Sequence, residues 1–373
     1  MKVLILGGTG AMGVSLSQIL AEKGNEVFVT TRSDKDSKGN IHYLKGNAHD
    51  ESFVSEILKG EYDAIVDFMH YDISEFTKER ATSLLNATKH YIFLSSSRVY
   101  GYSEKPITEE TPRLLDCCGD EEYLKTDEYA LTKAREENIL RSLPQKNWTI
   151  IRPYITYNTE RLQLGVLEKE QWLYRALKGK SIVFFKDIAE HYTTLTYGHD
   201  LAYVLSLILC KEESYGETYH ITASESVKWI YILTIYKDVL NKKLGKEPKI
   251  KWIDKAESVM PPINKYQIKY CRLFDRRFDN SKILKAAKTD YCFTPLKEGL
   301  TKCVEQFINE KRNFKNISWL MEAKFDKLSG EVTPLREING IKNKIAYVVY
   351  RFTPFARIWH LLSRLKRAVC GKR

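Results

Sequence analysis

MKVLILGGTGAMGVSLSQILAEKGNEVFVTTRS, residues 1–33, is the stretch that decides the fold. Val3–Leu6 is a compact run of β-branched and leucine residues that stops at glycines. From Gly13 to Lys23, Leu16, Ile19 and Leu20 fall on one face at helical spacing. Glu26–Thr30 reads as the next strand. Strand, turn, helix and strand within about thirty residues form a crossover unit, which predicts a parallel sheet. In the turn, Gly7-Gly8-Thr9-Gly10-Ala11-Met12-Gly13, three glycines have separate tasks. Gly7 permits the tight turn, Gly10 lets backbone approach a pyrophosphate, and Gly13 lets helix and strand pack closely. The helix start adds free N–H groups and the positive end of its dipole.

Outward from this unit, Ile41–Leu44, Ala64–Phe68, Tyr91–Leu94 and Thr149–Ile151 read as further strands. Helical patterns at Glu51–Leu58 and Ile73–Lys89 separate them. The expectation is a Rossmann-like, doubly wound α/β fold. After about residue 155 the pattern loosens. Helical stretches (Glu168–Leu177, Leu201–Leu209, Ile230–Leu240) mix with strand-like runs (Ile182–Phe185, Glu217–Ile221, Ile250–Trp252), as in a smaller substrate lobe. Glu310–Asn316 reads as a boundary. The expected division is residues 1–155 plus returning segments for the dinucleotide domain, 156–312 mainly for the lobe, and 313–373 for an extension.

Composition agrees with a large packed core: of 373 residues, 43% are hydrophobic and 29% charged. No apolar run approaches the ~20 residues that span a bilayer, and the apolar start is too short for a signal peptide. Seven cysteines without CxxC spacing argue against a disulfide framework or a zinc ribbon, so a reduced, cytoplasmic enzyme is expected. The net charge of +11 is concentrated at one end. Residues 341–373 hold nine Lys/Arg and no Asp/Glu, whereas 1–340 hold 50 basic against 48 acidic residues. A nucleic-acid partner is therefore not expected of the body.

The residue after the second strand should meet the adenosine ribose. The run there is Thr30-Thr31-Arg32-Ser33, with no acid before Asp34. Arg32 can pair with a 2′-phosphate, which leans the cofactor from NAD towards NADP; it also reads as a solvated loop cation. Further along, Tyr129-Ala-Leu-Thr-Lys133 sets a phenol and an ammonium one helical turn apart. A phenol is a poor base near its reference pKa of about 10, and a neighbouring ammonium together with a positive nicotinamide ring favours its ionised form. The partner motif is Tyr91-Ile-Phe-Leu-Ser95-Ser96-Ser97-Arg98-Val99-Tyr100-Gly101, a strand ending in hydroxyls.

Together, the glycine turn, Ser-Ser-x-x-Val-Tyr-Gly and Tyr-x-x-x-Lys resemble the extended short-chain dehydrogenase/reductase family, in particular its nucleotide-sugar epimerases, dehydratases and reductases. The resemblance covers roughly residues 1–312. It includes Ile151-Arg152-Pro153, Tyr197-Gly198-His199-Asp200-Leu201-Ala202 and Asp279-Asn280-Ser281-Lys282. It implies that Ser96 hydrogen-bonds the substrate oxygen, with Ser97 as the alternative. It implies that Tyr129 moves the proton and Lys133 binds the nicotinamide ribose. Gly7, Thr9, Gly10, Ala11, Met12, Gly13, Arg32, Asn47, Ala48, Phe68, Met69 and Pro153 would complete an NAD(P) site, and a homodimer is implied.

The departures narrow the reaction. Ser97 and Arg98 stand where the family's 4,6-dehydratases carry the Asp-Glu pair of the elimination, which disfavours that chemistry. Thr193 stands where 4-epimerases usually carry an Arg for the diphosphate, and Tyr154-Ile155 where an Asn meets the sugar nucleotide. Arg272, Arg276 and Arg277 are candidates for the missing phosphate contacts; the alternative is a self-paired loop with Asp275 and Asp279. His70 reads as a residue near the cofactor. His49, His191, His199 and His220 show no metal-ligand spacing. The adjacent Cys117-Cys118 reads as a reduced loop pair.

Thr353-Pro354 is a good helix start. Phe355, Ile358, Trp359, Leu362, Leu365 and Val369 recur at helical spacing among Arg357, Arg364, Lys366 and Arg367, with Ile345–Tyr350 as a second apolar patch upstream. This basic amphipathic tail over 341–373 reads as a peripheral contact with the inner membrane face, or as a segment that docks on protein. The expectation as a whole is an epimerase or reductase acting by hydride transfer at a nucleotide-sugar carbon, C4 foremost, in surface polysaccharide or glycan precursor synthesis. The alternative is a non-catalytic member of the same fold that binds RNA or a protein partner.

Overall fold

The computed structural model describes residues 1–353. The basic tail helix expected beyond Thr353 lies outside the described residues. Two compact units are present. The first comprises Met1–Leu162, His191–Lys228 and Lys269–Val304; the second comprises Gln163–Glu190, Trp229–Ile268 and, among the described residues, 305–353.

The first unit is a Rossmann-like α/β domain. Its strands are β1 (Lys2–Leu6), β2 (Glu26–Thr31), β3 (Ile41–Lys45), β4 (Tyr62–Asp67), β5 (Thr88–Leu94), β6 (Trp148–Ile151) and β7 (Glu217–Tyr219). They form a sheet in the order β7-β6-β5-β4-β1-β2-β3, with every pairing parallel. The helices that concern the site are α1 (Ala11–Glu22), α2 (Glu51–Leu58), α3 (Lys78–Asn86), α4 (Tyr129–Ser142) and α5 (Gly198–Ile208).

Side chains alternate across a strand, and here both faces are buried. Val3, Ile5, Val27, Val29, Ala64 and Val66 pack with Leu16 and Leu20 of α1 and Leu201 and Leu205 of α5. Leu4, Leu6, Ile65 and Phe93 pack on the other face with Val54 of α2, Leu84 of α3 and Leu140 of α4. This two-sided burial explains why the strands read as unbroken apolar runs.

Two elements differ from the sequence expectation. The run Glu217–Ile221, expected in the lobe, supplies β7, whose register against β6 pairs Thr218 with Ile150. The helix expected over Ile73–Lys89 is confined to Lys78–Asn86. Thr77 caps it by accepting from the Arg80 N–H, and Thr88 and Lys89 belong to β5. Residues 305–353 lie in the second unit.

In that second unit, Ile182–Phe185 and Ile250–Ile253 form a two-stranded parallel sheet, and Trp172 stacks on Tyr236 at 4.1 Å. A buried charge cluster ties the C-terminal helices to the lobe. Arg175 pairs with Glu322 and Asp326, both at 2.8 Å, and with Glu331 at 2.7 Å. Lys180 reaches the same Glu322 and Asp326, and the Tyr347 hydroxyl donates to Asp326 at 2.7 Å. Burial raises the Asp326 carboxyl, but hydrogen bonds from Lys180, Tyr347 and Arg175 outweigh it and hold it below the usual carboxylate range. Removing one partner leaves buried charge uncompensated. Asp326→Ala should cost about 3–5 kcal/mol in denaturant unfolding of the second unit; a loss within the error of the wild-type value would contradict this role.

Candidate functional site

The glycine turn is the first element of the site. Gly7 has φ +67, which an L side chain resists, and its N–H donates to Thr30 Oγ1 at 2.9 Å. Gly10 is the N-cap of α1, and a Cβ there would meet nothing within 4 Å. The protein thus leaves open the place that the pyrophosphate reading requires. Gly13 is needed for a different contact from the one expected. A Cβ on it would lie 2.4 Å from Gly8 Cα and O, so it lets the helix close on the turn rather than on the strand. Gly8, to which the sequence reading gave no task, is equally constrained: its Cβ would lie 2.7 Å from Ile5 and 2.8 Å from Val29 side chains.

Beside the turn is a cavity of about 240 Å³ lined by Gly7, Thr9, Thr30, Thr31, Arg32, Gly46, Asn47, Ala48, His49, Phe68, Met69 and His70. Seven of these are expected dinucleotide residues, from the ends of β1, β2, β3 and β4. Arg32 is exposed at the end of β2. Asp34 pairs with Lys45 at 2.7 Å, so the first acid after β2 is already engaged. Arg80 secures the far wall by donating to the Ala48 carbonyl. Met12 packs against the apolar core, and the Pro153 carbonyl accepts from the Ser97 N–H at 2.8 Å.

The tyrosine–lysine pair sits at the His70–Met69 end. Lys133 is buried, and its Nζ donates to the Met69 carbonyl at 3.3 Å. The Tyr129 ring lies 5.0 Å from the His70 ring, with the Arg98 guanidinium 5.1 Å from its centroid. Glu128 caps α4 by accepting from the Ala130 N–H at 2.8 Å, and it also pairs with Arg98. Arg98 and Glu128 were not assigned this setting from sequence. Burial, and after it the charge of Lys133, lowers the His70 imidazole below its ordinary value.

Ser96 and Ser97 are separated by their hydrogen bonds. Ser97 is fully buried, and its hydroxyl donates to the Arg152 carbonyl at 2.7 Å. This proton is therefore already engaged. The Ser96 hydroxyl caps the short turn Ser97–Val99 by accepting from the Arg98 N–H at 3.2 Å, which leaves its own proton to donate.

Two buried groups on α4 escaped sequence reading. Glu137 holds Arg152 in two contacts of 2.7 and 2.6 Å, accepts from Ser95 at 2.6 Å, and pairs with Arg113 at 3.1 Å. Burial raises its carboxyl, but Arg152, Ser95 and Arg113 outweigh this and lower it. The signal was its place one turn after Lys133, on a face that must be buried. Glu136 lies 3.0 Å from Lys133 Nζ and is also fully buried. Burial pushes it up to about 7 against the pull of Lys133.

The expected substrate residues divide. Arg276 is fully buried and donates to the carbonyls of Tyr100, Gly101 and Tyr270, which fixes a loop instead of offering a phosphate contact. Arg272 is buried beside Cys271 Sγ at 2.9 Å and the Tyr154 hydroxyl at 3.4 Å. Burial raises the Cys271 thiol, but Arg272, Arg276 and Arg98 outweigh it and bring it below the usual thiol range. Asp275 pairs with His191 at 3.2 Å. Thr193 is buried, with no hydrogen bond to its hydroxyl. Among the described residues, no cluster of His, Cys, Asp or Glu is arranged to hold a metal.

Residues 3–222 match the NAD dependent epimerase/dehydratase family, and the chain belongs to that family. The chloroplast stem-loop binding protein of 41 kDa b from Arabidopsis thaliana is 28% identical over 244 residues, 61% of this chain and 60% of that protein. A UDP-glucose 4-epimerase from Lactobacillus helveticus is 34% identical over 134 residues, 30% of this chain and 41% of that enzyme. The chain thus matches less than two thirds of the length of either relative. Among solved structures, UDP-glucuronic acid 4-epimerase from Bacillus cereus in complex with NAD superposes with a TM-score of 0.60 at 18% identity, over 82% of this chain and 99% of that one. UDP-N-acetylglucosamine 4-epimerase from Methanobrevibacter ruminantium gives 0.62 at 19%, over 83% and 98%. These two similarities confirm the fold.

The two glycines predict opposite outcomes. Gly13→Ala should cost about 1–3 kcal/mol of stability through overpacking. Gly10→Ala should unfold near the wild-type midpoint yet weaken dinucleotide binding, as read by thermal melting and by titration with NADH. A Gly10→Ala protein that binds NADH like wild type would contradict the open-wall reading.

A second prediction concerns pH. The folded Glu136 binds its proton more tightly than an ordinary Glu of 4.5. Its contribution to stability therefore falls as pH rises from about 4.5 to about 7 and is level above that. The stability difference between Glu136→Gln and wild type should shift in favour of Glu136→Gln across this window, by on the order of 1–3 kcal/mol. Denaturant midpoints at several pH values would measure it, and a flat difference would contradict the buried carboxyl.

Proposed function

We propose that this chain is an NAD(P)-dependent enzyme that transfers hydride at a carbon, C4 foremost, of a nucleotide-activated sugar, as an epimerase or reductase. The observation that carries this reading is the Tyr129–Lys133 pair, which meets the wall of the glycine-turn cavity at His70 and Met69. Gly10 and α1 would receive the pyrophosphate, Arg32 and Asn47-Ala48 the adenosine side, and Lys133 with Phe68-Met69 the nicotinamide side. A bound nicotinamide supplies the hydride acceptor and donor.

The remaining steps fall to this chain's own residues. Ser96 donates a hydrogen bond to the reacting oxygen. Tyr129 takes the proton from that hydroxyl as the carbon is oxidised and returns it on reduction. Arg98 places positive charge over the Tyr129 ring. Arg98 stands where a 4,6-dehydratase carries an acid, so the set supports oxidation and reduction without elimination. The exposed Arg32, with Asp34 held by Lys45, favours NADP over NAD. Supply of precursors for surface polysaccharide suits this chemistry.

The similarity to a stem-loop binding protein favours a second reading, a non-catalytic RNA binder. Nucleic-acid affinity scales with the phosphates neutralised by Lys and Arg, and the nearly neutral residues 1–340 give it little support.

The test is incubation with a panel of UDP- and dTDP-sugars, followed by chromatography of the products. Wild type should convert at least one sugar. Tyr129→Phe and Lys133→Met should each lose about 10²–10⁴ in turnover while remaining folded. Full turnover by Tyr129→Phe would overturn the catalytic assignment. Absence of conversion, combined with salt-sensitive binding of a stem-loop RNA, would establish the second reading.

A further inference from the structure

The helix Ile341–Phe352 has two unlike faces. Tyr347 and Tyr350 are buried beneath it in the second unit, with Trp319, Ala323 and Ile338. The Tyr347 hydroxyl accepts from the Thr333 N–H at 2.6 Å and donates to Asp326, so this face is fixed in place. On the other side, Ile341 is 76% exposed, Ile345 50%, Val348 37% and Phe352 57%. These positions are i, i+4, i+7 and i+11, which align as one apolar stripe along the helix. Lys342 follows one edge of the stripe; Lys344 and Arg351 follow the other. The helix contains no acidic residue. In the segment that leads into it, Val332 and Leu335 are also exposed.

A continuous exposed apolar stripe on an anchored helix marks a contact surface. Charge decides its occupant. The remaining chain, 354–373, carries six Lys/Arg and no acid, so folding it onto the stripe would set like charges together. A second copy of the helix would bring the same basic edges. An anionic lipid surface satisfies both features: the apolar side chains enter the acyl boundary and the flanking cations meet the headgroups. No helix among the described residues is long and apolar enough to cross a membrane, and a stripe of this kind lies in the plane of the interface.

We propose that the helix Ile341–Phe352 is a preformed docking face for an anionic lipid bilayer surface. The contact is independent of the sugar chemistry.

Flotation of the full chain with vesicles tests it. Vesicles of phosphatidylcholine alone are compared with vesicles containing about one third phosphatidylglycerol, at low and high salt. Wild type should float with the anionic vesicles at low salt and stay behind with the neutral ones. Ile345→Glu combined with Phe352→Glu should reduce the bound fraction at least roughly tenfold, with an unchanged melting curve. Ile345→Ser with Phe352→Ser provides the same comparison if the glutamates disturb folding. Equal flotation of wild type and stripe variants would overturn the proposal, as would failure of wild type to float. So would a dimer that the variants convert to monomer without any effect on flotation, because a second copy would then be the occupant.

Discussion

The site depends on one buried ion pair. Glu137 on α4 grips Arg152 at the end of β6 through Nε and Nη2, one edge of its guanidinium, while Ser95 at the end of β5 donates to the same carboxylate. Three elements thereby share one charge centre beneath the active end of the sheet. A carboxylate removed from water is tolerated only when such partners satisfy it, so this contact fixes the rotation of α4. Tyr129 and Lys133 lie two turns and one turn before Glu137 on the same helix, and their approach to the cavity follows from that rotation. Arg113 adds a second cation and ties the chain ahead of α4 into the same centre.

Around this anchor the site is built from strand ends. β1, β2, β3 and β4 each deliver two to four cavity residues. Parallel pairing brings these ends to one edge, which is where open α/β sheets bind ligands. The glycine turn needs its glycines for three separate steric reasons: a left-handed backbone at Gly7, close contact between Gly8 and Gly13, and open space at Gly10. The third leaves room for a ligand, whereas the first two shape the walls. Arg98, braced by Glu128, brings a cation over the Tyr129 ring at a position where an eliminating enzyme would need an acid.

Much of the first unit was legible because its signals are local. Both faces of its strands are buried, so β1, β2, β4 and β6 stand out as apolar runs, and the glycine turn follows β1 without a gap. What was not legible depends on long-range contacts. β7 looks like a lobe strand until its pairing with β6 across some seventy residues is seen. Ser96 and Ser97 are adjacent hydroxyls that only the Arg152 carbonyl distinguishes. Arg276 reads as a phosphate ligand in a basic loop, yet three backbone carbonyls occupy it. Glu136 and Glu137 are fully buried on α4, and their partners Lys133, Arg152, Ser95 and Arg113 emerge only from its packing.

The account rests on the cavity as a dinucleotide site, and identification of the nucleotide released from the purified, denatured protein tests that most directly. Chromatography and mass spectrometry should find NAD or NADP, either retained in near-stoichiometric amount or, from an empty preparation, readily taken up again as the reduced cofactor. Retention would favour a cofactor kept between turnovers, as an epimerase requires; uptake of NADPH ahead of NADH would favour a reductase that uses Arg32. A protein that releases neither nucleotide and binds neither NADH nor NADPH would contradict the account.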